Sequence, residues 1–136
     1  MSTASLTTAA ILLIALPTVE IGGLALLSMI KRRDPGYMDN PVRQNLFRAG
    51  HAHAGVWIVL ALVGMLLVDQ AALSDGLKML VRVGFAVAPI LMPLGFFLSV
   101  VPARADRPNG VISLVYVGGL ALALATVTLG VGLLLA

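Results

Sequence analysis

Apolar residues fall along the chain in four long blocks, at about residues 6–30, 49–68, 79–101 and 111–135, with short polar stretches between them. The blocks are continuous rather than alternating, so the period-two signature of a half-buried strand is missing. A hydrocarbon core about 30 Å thick takes ~20 helical residues, and each block supplies that length. Backbone groups in lipid must be satisfied within their own segment, so runs this continuous predict helices. The expectation is an all-α integral membrane protein, an up-and-down bundle of four transmembrane helices forming one domain over residues 1–136. Asn40 before Pro41 reads as an N-cap with proline in the first turn, so the second helix is expected to start at Pro41 and run to Val68. Asp34-Pro35-Gly36 reads as a turn, and Asn109-Gly110 as the opening of the fourth helix. The first block has no basic residue ahead of it and stops at Lys31, Arg32 and Arg33, the pattern of an anchor rather than a cleavable leader.

Of the 136 residues, 60% are hydrophobic and 11% charged, against roughly 25% charged in a soluble domain. A water-soluble globule is excluded. The lack of cysteine removes disulfides, thiolate metal sites and thiol nucleophiles. A pI of about 10.0 would suit nucleic acid, but the positions of the basic residues read as a topology signal instead. Lys31, Arg32, Arg33, Arg43 and Arg48 lie in the first connection and Arg104 and Arg107 in the third. Lys78 and Arg82 in the second sit beside Asp69 and Asp75. Basic loops stay in the cytoplasm. Loops 31–48 and 102–109 are therefore expected inside and both termini outside, in a multi-pass plasma membrane such as the bacterial inner membrane. The lipid bilayer is the expected surround, with no nucleic-acid partner.

Polar groups within the blocks need a reason to be there. Glu20 lies about ten residues from either end of the first block and is expected near the midplane, after Pro17 and before Gly22 and Gly23. It reads either as a metal ligand or ion partner, or as a neutral acid hydrogen-bonded to a neighbour. Arg48-Ala49-Gly50-His51-Ala52-His53 opens the second block. At 100° per residue, His51 and His53 face nearly opposite ways and serve two sites rather than chelating one ion. Imidazoles ligate metals and shuttle protons, or hydrogen-bond headgroups and loop at the interface. His53, the deeper of the two, is the stronger functional candidate, facing Glu20 through a ligand or water. Pro89 and Pro93 leave the carbonyls of Phe85 and Pro89 without helical donors, which points the third helix toward the bundle interior. Tyr116 could donate into the same cavity. Met65, Met79 and Met92 read as core fillers, and Gly118, Gly119, Gly130 and Gly132 as close-packing positions.

The His51-Ala52-His53 triplet resembles the His-x-His of haem-copper oxidase catalytic subunits, where opposed histidines bind different haems. The four-helix layout, with a long basic first loop and Arg48 and His51 at the start of the second helix, is similar to the membrane-associated eicosanoid and glutathione metabolism family. That family implies trimers and glutathione chemistry. Its asparagine and glutamate further along the helix are replaced here by His53 and by Val56 or Trp57. The segment 47–55 also resembles uncharacterised bacterial membrane proteins.

These residues support a cofactor-binding bundle holding haem or a transition metal (iron, copper or zinc) through His53, His51 and Glu20, with Arg48 and Tyr116 as further contacts and a redox role implied. The alternatives are a non-catalytic accessory subunit of a membrane complex and a small proton- or ion-coupled transporter using Glu20. The glycine-rich faces predict a homo-oligomer or a place in a larger complex.

Overall fold

The computed structural model describes residues 1–136 and contains helices and turns only. The long helices are α1 (Thr3–Lys31), α3 (Pro41–Leu67), α4 (Asp75–Leu98) and α5 (Ser113–Leu134); α2 (Pro35–Met38) is one turn. A 3-10 turn, Gly110–Ile112, leads into α5. The four long elements are each long and apolar enough to cross a membrane, and outward faces such as Ile14, Ile21, Leu124 and Val127 are exposed hydrophobic surface. The chain is an integral membrane protein with the expected four-helix architecture.

The helices pack in the order α1, α3, α4, α5, so α1 and α5 form opposite edges and do not touch. Small residues set this order. A Cβ on Gly64 would lie 2.7 Å from the Phe85 ring, and one on Gly84 would lie 2.7 Å from the Ala121 carbonyl oxygen. Gly50 receives Phe96 and Phe97, Gly95 receives Val115, and Gly118 receives Met92. Met65 and Met92 fill the core as expected, whereas Met79 is exposed. Of the glycines expected to pack closely, Gly118 and Gly132 do so, against Met92 and Leu73; Gly119 and Gly130 face open space.

At the end that carries the basic loops, α1 stops in a Schellman arrangement. Arg33 adopts a left-handed φ of 50°, so the amides of Arg33 and Asp34 donate back to the carbonyls of Ile30 and Met29. Asp34-Pro35-Gly36 is not a simple turn: Asp34 caps α2 by accepting from the Gly36 amide at 2.8 Å. Asn40 caps α3 as expected, its Oδ1 accepting from Arg43 N at 3.0 Å. Its Nδ2 also donates to the carbonyls of Ala103 and Ala105. Arg43 donates to the carbonyls of Val100 and Gly36 and lies over the Phe47 ring. Asn40 and Arg43 thus tie both basic connections to the head of α3. Asn40→Ala is expected to lower stability by about 1–2 kcal/mol, the value of a lost cap and loop tether. A thermal melt in detergent against Asn40→Asp, which keeps the cap but removes the Nδ2 donor, separates the two contributions.

At the opposite end Asp69 and Arg82 form an ion pair of 2.7 Å. Arg82 Nε donates to Ser5 Oγ at 2.9 Å, and Asp69 accepts from the Ser2 amide and the Ser5 hydroxyl. The first turn of α1 is thereby fastened to α3 and α4. Desolvation opposes ionisation of Asp69, but the Ser2 amide, the Arg82 guanidinium and the two serine hydroxyls outweigh it and hold the carboxyl well below its usual range.

Candidate functional site

A groove of about 430 Å³ lies between α1 and α4, floored by α3. It exists because α1 rests on α3 and barely reaches α4. Its walls are aliphatic apart from Phe97, His51, Thr8 and Thr18. Both threonines are already bonded to backbone carbonyls of their own helix, those of Ala4 and Ala15. The histidine is different. Its ring lies over Gly22 and Gly23, where a Cβ would approach Cε1 at 3.1 Å and Nε2 at 3.2 Å, and neither ring nitrogen bonds within the chain. Pro89 and Pro93 line the facing wall, as the freed carbonyls of a proline-rich helix lead one to expect.

His53 points the other way, toward α4. Its Nδ1 lies 2.7 Å from the Ala49 carbonyl, and its ring packs edge-on to Trp57 and at 4.9 Å from the Phe96 ring. The buried Trp57 Nε1 beside it has no partner. The opposed histidine faces expected from helical geometry are therefore present: His51 addresses the groove, while His53 is held in an aromatic corner.

Glu20 does not join them. The packing of Gly22 and Gly23 on His51, and of Gly55 on Val19, places Glu20 level with Ala54. That is roughly 9 Å inside the level of Arg48. Depth no longer separates Glu20 from His53; direction does, because Glu20 faces outward from the bundle. Tyr116 also faces outward, 74% exposed, and does not reach the groove. Arg48 is exposed at the surface of α3. No three His, Asp or Glu side chains converge as a metal-binding group, so the expected set of His51, His53 and Glu20 is not assembled within one chain. The Asn40 cap and the placing of Arg82 beside Asp69 were legible in the sequence; the tethers from Asn40 and Arg43 to the third connection, and from Arg82 and Asp69 to Ser2 and Ser5, were not.

No family model, curated protein or solved structure matches this chain.

Proposed function

We propose that this protein binds a neutral, single-chain lipid with a carbonyl-bearing head, of the prenyl-quinone class, in the α1–α4 groove, with His51 as the polar anchor. The observation that carries this reading is the free imidazole at one end of an otherwise aliphatic groove. Along α1 the lining runs from Thr8 to Gly22, a rise of roughly 21 Å. A long groove with largely aliphatic walls suits an extended hydrocarbon chain. His51 lies inside the level of Arg48, where a charged headgroup would lose its hydration. A neutral carbonyl accepting from an imidazole N–H suits that depth. The basic loop end is taken as cytoplasmic. A redox role would follow from the chemistry of the bound molecule, not from any residue of the chain.

Haem ligated by one imidazole is the second reading, favoured by the same unbonded His51 nitrogen. Detergent-purified protein, its organic extract analysed by mass spectrometry and its absorption spectrum recorded, distinguishes the two. A neutral single-chain carbonyl lipid is expected near one per chain. It should fall about five-fold in His51→Leu, as loss of a hydrogen bond of ~1 kcal/mol implies, and stay unchanged in His53→Leu. A Soret band that disappears in His51→Leu would assign the groove to haem. Recovery of bulk phospholipid alone, equal in all three proteins, would overturn both.

A further inference from the structure

The outward faces of α1 and α5 carry the membrane-level polar groups that the fold leaves unused. Glu20 and Tyr116 are both exposed, and neither makes a hydrogen bond within the chain. They lie on opposite edges of the bundle, yet at one depth. Glu20 is level with Ala54, as shown above. Gly50 packs on Phe96 and Phe97 and Gly64 on Phe85, which puts Ala54 level with Pro93. Gly95 packs on Leu114 and Val115 and Gly118 on Met92, which puts Pro93 level with Tyr116.

Rotation about the membrane normal preserves depth, so the α1 edge of one copy can meet the α5 edge of the next with Glu20 facing Tyr116. The two helices would run antiparallel. Counting outward from that pair along each exposed face, Leu13 meets Ala123, Ala10 meets Val127 and Leu6 meets Gly130. Every one of these residues is exposed in the single chain, and in these three pairs a large side chain on one helix meets a small one on the other, while Pro17 meets Leu120 between them and the Glu20–Tyr116 pair.

We propose that copies of this chain assemble head to tail into a closed ring, α1 of one against α5 of the next, with Glu20 accepting a hydrogen bond from the partner's Tyr116. The contact is heterologous, so it closes by rotation rather than pairing a face with itself. It gives the carboxyl a partner that a lipid-facing position lacks, and it leaves the α1–α4 groove open on a different side of α1.

The absence of cysteine makes a direct test available in native membranes. A chain carrying both Leu13→Cys and Ala123→Cys, oxidised with copper-phenanthroline, is expected to give a ladder of cross-linked species ending at the ring size. Each single-cysteine chain should stay uncross-linked, and the two singles co-expressed should give dimer only. Cross-linking of Leu13→Cys with itself, or no ladder from the double variant, would overturn the proposal. A second readout does not depend on cysteine geometry. Glu20→Leu and Tyr116→Phe should each shift the purified protein toward monomer on dilution in detergent, while Glu20→Gln, which still accepts a hydrogen bond, should retain the oligomer. If Glu20→Leu instead leaves the oligomer intact or strengthens it, the carboxyl faces lipid and the ring is wrong.

Discussion

Gly84→Leu is expected to lower the stability of the bundle by about 3 kcal/mol or more, the upper range for forcing side-chain volume into a packed interface. At this position the obstacle is not a rotatable side chain. A Cβ would stand 2.7 Å from the Ala121 carbonyl oxygen and 2.7 Å from Ala125 Cβ, and the Ala121 oxygen cannot move unless α5 moves with it. Separating α4 from α5 loses the close packing that holds transmembrane helices together, where no hydrophobic force substitutes for it. Gly118→Leu should cost less, because the nearest atom is the Met92 Cγ, which can swing, although the Met92 amide at 3.2 Å limits how far. Gly119→Leu should be tolerated, since nothing lies within 4 Å, and Gly119→Ala should gain a few tenths of a kcal/mol from helix propensity. Unfolding in a mixed detergent series, followed by circular dichroism, tests this order. Equal effects at Gly118 and Gly119 would contradict the α4–α5 register.

That contrast marks where sequence reading stopped. Four glycines on the last helix are alike as letters, and nothing local says that Gly118 meets Met92 while Gly119 meets open space. The helices themselves were legible because lipid allows one solution for a long apolar run, and the α3 start was legible because Asn40-Pro41 is a local signal. The one-turn α2 and the left-handed Arg33 were not, since that position usually carries glycine. The shared level of Glu20 and Ala54 was not legible, because it depends on the register of α1 against α3, which Gly22, Gly23 and Gly55 set. Helical geometry separated His51 from His53 but could not say which of them faced a groove. That depends on which side of α3 receives α1, a fact fixed by Gly22 and Gly23.

Asp69→Asn should loosen the first turn of α1 and remove this carboxyl's contribution to the acid dependence of stability. The wild-type carboxylate is held by the Arg82 guanidinium at 2.7 Å together with the Ser2 amide and the Ser5 hydroxyl. With the side chains of Arg82 and Asp69 14% and 19% exposed, the pair lies between a surface bridge and a buried one. Its loss is expected to cost about 1.5–3 kcal/mol, the range of hydrogen bonds to charged groups. Asn can still accept from Ser2 and Ser5, so the difference reports mainly the charge. Because the folded carboxyl titrates below the unfolded value of ~3.9, its contribution is complete above that pH. It is lost progressively as pH falls below about 4 toward the folded value. Between pH 7 and 5 the wild type and the variant should therefore differ by a constant amount; below pH 4 the wild type should approach the variant. Hydrogen exchange localises the effect: amides of residues 3–12 should exchange faster in Asp69→Asn while those of α4 and α5 do not, because α1 is held to the other helices on one side only. Uniform acceleration across all four helices would mean that the network supports the whole bundle rather than the edge helix whose groove is the candidate site.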